Sequence, residues 1–342
     1  MNTSTVTEIV LPGLVEPSGL VVSQRDLPAP AAGQVLVKIE ATGVSFAEQQ
    51  MRRGKYFDQP PFPFVPGYDF VGTVEAAGPG ADPQWVGRRV AAVVKTGGWA
   101  SRVTIDAAEL MHIPDGVDPA DAEALVVNGI TAWQMLHHVA RVKAGQTVVV
   151  LGANGGVGST IAQLALSAGI NVIGTASARH HDFLRQLGVT PLDYRAPDLA
   201  DRLRAIAPDG VDAVFDHVGG RGIRTSWRML RRGGTLVSYG TAATKNDDGN
   251  SQLPVLRLFA RLMVWSILPN GRRASFYNFW AGARRRSGFH ERLQEDLTQV
   301  MSLLAAGTIT AQVAQKLPLT DVTHAMELAE SHTVTGKVVL IP

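Results

Sequence analysis

Along the first 110 residues, apolar and polar positions alternate in short runs. Gln34 to Glu40 reads QVLVKIE, the period-two signature of a half-buried strand. Phe70 to Glu75, Arg88 to Val94 and Trp99 to Ile105 repeat the pattern, separated by turns such as Gly78-Pro79-Gly80. Pro114 to Pro119 marks a further turn before a helix. From about Ala120 the texture changes. Thr147 to Leu151 is a continuous apolar run, as in a strand buried on both faces. Val157 to Ala168 follows with Ile161, Leu164, Ala165 and Ala168 at helical spacing. Strands at Asn171 to Ala176, Val211 to Asp216, Gly234 to Tyr239 and Gly336 to Ile341 alternate with helices at His180 to Leu187 and Asp321 to Ser331. Such alternation predicts an α/β chain with a doubly wound parallel sheet.

Composition sharpens this picture. A length of 342 residues suits two domains, and 45% hydrophobic against 18% charged residues is a globular balance. The absence of cysteine excludes disulfides and thiolate metal sites. A net charge of +2 gives no electrostatic footprint for nucleic acid. Met1 to Leu14 lacks the pattern of a secretory signal. The most apolar stretch, Leu253 to Leu268, contains Arg257 and Arg261 and falls short of the roughly 20 residues of a membrane span. The expected location is cytoplasmic.

Chemistry enters at Gly152-Ala153-Asn154-Gly155-Gly156-Val157-Gly158, placed between the apolar strand and the helix after it. Glycines there let backbone approach a pyrophosphate, and a helix N-terminus supplies N–H donors and a positive dipole. An NAD site usually carries Asp or Glu about 20 residues further on, accepting from the ribose 2′-hydroxyl. The corresponding stretch, Gly174 to His180, has no acid before Asp182. Ser177 and Arg179 offer a hydroxyl and a guanidinium instead, which suit a 2′-phosphate and favour NADPH.

Four segments now carry a resemblance: Gly43 to Tyr56, Pro66 to Asp69, Asn128 to Ala132 and Ala153 to Gly158. The chain resembles the zinc-free quinone oxidoreductases of the medium-chain dehydrogenase/reductase superfamily, the zeta-crystallin-like group. Lys95 to Trp99, Gly174 to Ser177 and Gly188 to Tyr194 look most like its synaptic-vesicle-membrane-protein-like branch. The resemblance implies a GroES-like β-barrel domain, residues 1–125 with 311–342, and a Rossmann domain, residues 126–310. It also implies a homodimer that reduces quinones or α,β-unsaturated carbonyls with NADPH. Tyr194 falls where relatives approach the adenosine 2′-phosphate. Asn128, Thr131 and the turn Tyr239-Gly240-Thr241 fall where relatives contact the nicotinamide end. Where zinc-dependent cousins place Cys, His and Cys on a metal, this chain has Ser45, Tyr68 and about Val127. Glu48 and Asp69 read as structural hydrogen-bonding groups.

Hydride transfer needs a donor to the developing enolate or hydroquinone oxygen, and a hydroxyl suffices. Tyr68 is the first candidate because the vacated metal position should face the cleft; Ser45 and Tyr56 follow. Gln50, where relatives often carry Tyr, marks an altered substrate end. His137-His138 and His180-His181 read as helix-surface residues, because adjacent helical positions diverge by about 100°. His217 either lines the cofactor crevice or closes its strand. Arg272, Arg273, Arg284, Arg285, Arg286 and Arg292 cluster near Phe276, Tyr277, Phe279 and Trp280. The structural reading is a lid over Leu253 to Leu268 and a dimer edge strand over Arg273 to Trp280; the functional reading is an anionic membrane surface or acidic substrate. Two other activities stand open, an enoyl-thioester reductase and a non-catalytic NADPH-binding or membrane-associated protein.

Overall fold

A computed structural model describes residues 4–242, 252–331 and 333–342. In chain order the first elements are β1 (Ser4–Val10), β2 (Val21–Leu27), β3 (Gln34–Val44), α1 (Phe46–Arg52), β4 (Asp69–Ala77), β5 (Arg89–Val93), β6 (Arg102–Asp106), β7 (Met111–His112) and α2 (Pro119–Trp133). Next come β8 (Thr147–Leu151), α3 (Gly156–Ser167), β9 (Asn171–Ala176), α4 (His181–Gln186), β10 (Thr190–Asp193), α5 (Leu199–Ile206), β11 (Val211–Asp216), α6 (Ile223–Met229) and β12 (Leu230–Ser238). The chain finishes with α7 (Gln252–Ile267), β13 (Arg273–Phe276), α8 (Arg286–Ala305), β14 (Val313–Pro318), α9 (Val322–Glu330) and β15 (Lys337–Ile341). Two compact units result: Met1–Ile130 with Gly282–Pro342, and Thr131–Ala281.

The first unit is built on a seven-stranded sheet in the order β14-β15-β3-β4-β5-β7, with β6 also paired to β3. Strand β3 can serve several partners because its register with β4 shifts twice, and such bulges bend and twist a strand. Val35, Val37 and Ile39 point inward and are buried with Phe70, Val74 and Val90, while Lys38 between them is exposed. The alternation read from the sequence holds from Val37 to Glu40 but not at Leu36, which is buried as well. The antiparallel pair β1–β2 lies outside the sequence expectation, since most of β2 is exposed and its SQRD run has no apolar face.

The second unit is an all-parallel sheet in the order β10-β9-β8-β11-β12-β13. Val148, Val149 and Val150 of β8 are wholly buried, as the uninterrupted apolar run predicts. The edge strand β13 stops at Phe276, so Tyr277, Phe279 and Trp280 fall in the turn beyond it rather than in the longer strand expected. The expected division at 125/126 and 310/311 differs from the observed units chiefly in α8. Gln294 on α8 accepts a hydrogen bond from the His112 N–H at 2.9 Å, and Val300 packs so tightly on Gly129 that a Cβ there would lie 2.7 Å away. These contacts bind the helix to the first unit. The Arg286 side chain lies outside the described ones.

Candidate functional site

In the second unit, β8 ends at Leu151 and the chain turns through Gly152 at φ 64°, a conformation that favours glycine. The Gly155 N–H donates to the Gly152 carbonyl at 3.0 Å, and α3 starts at the next residue with no side chain capping it. Among the described residues, its first N–H groups therefore have no intrahelical or side-chain acceptor. A Cβ at Gly158 would sit 2.3 Å from the Gly152 oxygen and 3.0 Å from the Ala153 Cα. Glycine is what allows the helix to press on the turn. Asn154, Gly155, Gly156 and Val157 remain partly exposed above it. Backbone cradle, open donors and helix dipole together fit a pyrophosphate.

The neighbouring strand ends carry the next group. Asp193 of β10 pairs with Ala176 of β9, so Tyr194 and Ser177 follow at the same end of adjacent strands. Ser177 is buried, Arg179 is exposed with Nε 3.4 Å from the Ser177 Oγ, and Tyr194 is 51% exposed. Arg195, not singled out from the sequence, lies over that ring at 5.0 Å. Its only signal was its position next to Tyr194.

Beyond β11 and β12, Tyr239 donates its N–H to the Asp216 carbonyl at 2.9 Å. Burial and the negative Asp216 push its phenol well above the usual tyrosine range. Gly240 packs on the His217 backbone, and Thr241 follows half-buried. Asn128 and Thr131 are buried on α2, where the Asn128 amide donates to the Ala124 carbonyl of its own helix at 3.0 Å.

In the first unit, α1 begins with a capping box. The Ser45 hydroxyl accepts from the Ala47 N–H at 3.1 Å and donates to a Glu48 carboxylate oxygen, which also accepts from the Ser45 N–H at 2.8 Å. The other Glu48 oxygen accepts from the Tyr68 N–H at 2.7 Å. Burial raises the Glu48 pKa, with the Ser45 hydrogen bond opposing and Asp69 reinforcing the rise. Tyr68 is thereby fixed through its backbone, and its hydroxyl lies 3.0 Å from that of Tyr56, the rings meeting edge to face. Three sequence candidates converge here: Ser45 as a cap, Tyr56 and Tyr68 as paired hydroxyls. The Val127 N–H donates to Asp69 at 3.1 Å.

Next to this cluster Asp69, read from the sequence as a structural hydrogen-bonding group, joins two charged residues that sequence reasoning missed, Lys337 and Glu123. The Lys337 ammonium lies 3.0 Å from both Asp69 oxygens and 2.6 Å from Glu123 Oε1, with all three residues buried. Burial disfavours the ammonium, but the two carboxylates outweigh it and hold Lys337 above the usual lysine range. Burial, with Asp69 adding to it, keeps Glu123 well above the usual carboxylate range despite Lys337. The available signals were one lysine opening the apolar run VVLI and one glutamate in an apolar stretch of α2.

Comparison with known proteins agrees with this fold. Residues 31–115 match the alcohol dehydrogenase GroES-like domain, and residues 187–340 match a family described as zinc-binding dehydrogenase. The chain is 32% identical over 325 residues to the rat synaptic vesicle membrane protein VAT-1 homolog, covering 92% of this chain and 78% of that one. A mycobacterial protein solved in complex with NADPH is 28% identical, with a TM-score of 0.82 over 98% of this chain and 100% of its own. A quinone oxidoreductase from Pseudomonas syringae is 25% identical, with a TM-score of 0.84 over 98% and 100%. A GroES-like unit and a parallel dinucleotide-type sheet in one chain define a two-domain oxidoreductase. The chain belongs to the medium-chain dehydrogenase/reductase family, in its zinc-free, quinone oxidoreductase-like branch. The matched zinc description notwithstanding, no three His, Asp or Glu residues are grouped to hold a metal among the described residues.

Proposed function

We propose that the chain is an NADPH-dependent reductase that passes hydride to a quinone or an α,β-unsaturated carbonyl without zinc. Bound NADPH would supply the hydride from its nicotinamide ring. The glycine cradle of Gly152 to Gly158 would hold the pyrophosphate, and Ser177, Arg179 and Tyr194 the adenosine end with its 2′-phosphate. Tyr239, Gly240, Thr241, Asn128 and Thr131 are assigned to the nicotinamide end.

The observation that carries the substrate side is the Tyr56–Tyr68 hydroxyl pair, 3.0 Å apart where metal-dependent relatives would have a ligand. Two linked hydroxyls can donate to the oxygen on which charge develops, one polarising the other. Ser45 is less suited, since its proton already goes to Glu48. The substrate carbanion would take its proton from solvent or through this pair. A small-molecule quinone or enone is the proposed partner, in a cytoplasmic homodimer, with no nucleic acid involved. No helix among the described residues is long and apolar enough to cross a membrane.

The test is oxidation of NADPH, with NADH in parallel and a chelator present, against quinones, enones, enals and enoyl thioesters. NADPH-preferring turnover of a quinone, enone or enal is expected. Turnover confined to enoyl thioesters, or none with any acceptor, would reject the assignment.

A further inference from the structure

His217 stands where the parallel sheet reverses its order. Strands β9 and β10 lie to one side of β8, and β11, β12 and β13 to the other, so the switch point falls between the C-terminal ends of β8 and β11. Open parallel sheets bind ligands in that crevice. His217 is the first residue after β11, and its Nδ1 lies 3.0 Å from the carbonyl of Leu151, the last residue of β8. One side chain thus ties the two strand ends together.

The contact determines the ring's chemistry. A carbonyl only accepts, so Nδ1 carries the proton, and in the neutral ring Nε2 presents a lone pair. Burial lowers the His217 pKa, against the pull of Asp216 and the Leu151 carbonyl, which keeps the ring neutral. The Asp216 charge is already engaged: one oxygen accepts from the Val218 and Gly219 N–H groups at 2.8 Å each, the other from the Ser226 hydroxyl at 2.6 Å. Nε2 has no hydrogen-bond partner among the described residues, and the residue keeps part of its surface open.

Two glycine turns close on this residue, one on its ring and one on its backbone. A Cβ on Gly152 would lie 2.4 Å from the His217 ring, and a Cβ on Gly240 would lie 2.6 Å from its carbonyl oxygen. The ring of Tyr239 is 6.0 Å away. With the adenosine end assigned to the β9–β10 side, the β11–β12 side of the switch point belongs to the other half of the dinucleotide.

We propose that His217 is a cofactor-binding residue whose Nε2 accepts a hydrogen bond from a hydroxyl of the nicotinamide ribose. The assignment rests on the NADPH reading above. It makes His217 act on the nicotinamide half alone, with no part in choosing between NADPH and NADH.

The discriminating experiment titrates parent and His217→Ala with NADPH, NADH and adenosine 2′-phosphate 5′-diphosphate, which keeps the pyrophosphate but lacks the second ribose. The substitution should weaken both dinucleotides by about threefold to tenfold, the scale of one net hydrogen bond, and leave the fragment unchanged. Equal weakening of the fragment would mean that His217 only shapes the glycine loop, and unchanged dinucleotide affinity would remove it from the site; either overturns the proposal. A parent that binds the fragment but neither dinucleotide would reject the cofactor reading itself. Histidine ring nitrogen NMR on the unaltered protein gives a second readout if the variant folds poorly. The His217 Nε2 resonance should move with NADPH and stay fixed with the fragment; movement with both, or with neither, contradicts the assignment.

Discussion

On the proposed reading, Arg179 and Ser177 are the residues on which the choice of dinucleotide turns. Their types and place were legible because a missing carboxylate after a strand is a one-dimensional signal. The structure adds what spacing cannot: Tyr194 reaches the same sheet end only through the pairing of Asp193 with Ala176. One charge-assisted contact is worth about 1.5–3 kcal/mol, so Arg179→Ala should weaken NADPH by roughly ten- to a hundredfold and barely change NADH in paired titrations. Equal affinity of the parent for both cofactors would contradict that reading. The tyrosine pair was legible as two candidates and not as a pair, because a loop between α1 and β4 brings together hydroxyls 12 positions apart. Loss of one oxyanion donor costs up to about a hundred- to a thousandfold, and a paired hydroxyl shares the load. Tyr68→Phe should therefore lower kcat by about ten- to a hundredfold with NADPH affinity unchanged, which steady-state kinetics and a binding titration check together.

Strands and helices with a clean period were legible as elements: β8, β9 and β11 occupy the residues their apolar runs mark. Others were hidden by composition. Helix α8 buries Phe289, Leu293, Leu297 and Val300, a helical stripe masked by the arginines at its start. The Lys337 cluster was hidden for a different reason, since its members come from β4, α2 and β15 and share no local pattern. It joins those three elements inside the first unit. Lys337→Met strands buried carboxylates without their cation and should cost about 3–5 kcal/mol in denaturant unfolding. Glu123 behaves differently, because its pKa is raised in the folded chain. Such an acid contributes stability that is fully present below its unfolded pKa of about 4.3 and is lost as pH rises through the folded value. Glu48 adds in the same direction. Glu123→Gln removes part of that loss, so unfolding at about pH 5 and pH 8 should differ less in the variant than in the parent. An unchanged or steeper dependence in the variant would mean that Glu123 is already ionised in its pair with Lys337.

At the scale of the molecule, the division into a GroES-like unit and a parallel-sheet unit was legible from the change of texture near Ala120. The boundary near α8 was not, because it depends on long-range packing. The four-residue strand β13 leaves a sheet edge, with Phe276, Tyr277, Phe279 and Trp280 only partly buried around it. Open edges carrying aromatics invite pairing, so light scattering at micromolar concentration should report a homodimer, and a monomer would favour a membrane-surface role for the segment. In the proposed reaction, hydride passes from NADPH to carbon without a metal. Its most direct test is reduction of an accepted enone by NADPH deuterated at the transferring position, with chelator present, followed by mass spectrometry of the product. One deuterium on the β-carbon, at the same rate with and without the chelator, is the predicted result. A product without deuterium, or turnover that disappears with the removal of stoichiometric zinc, would contradict it.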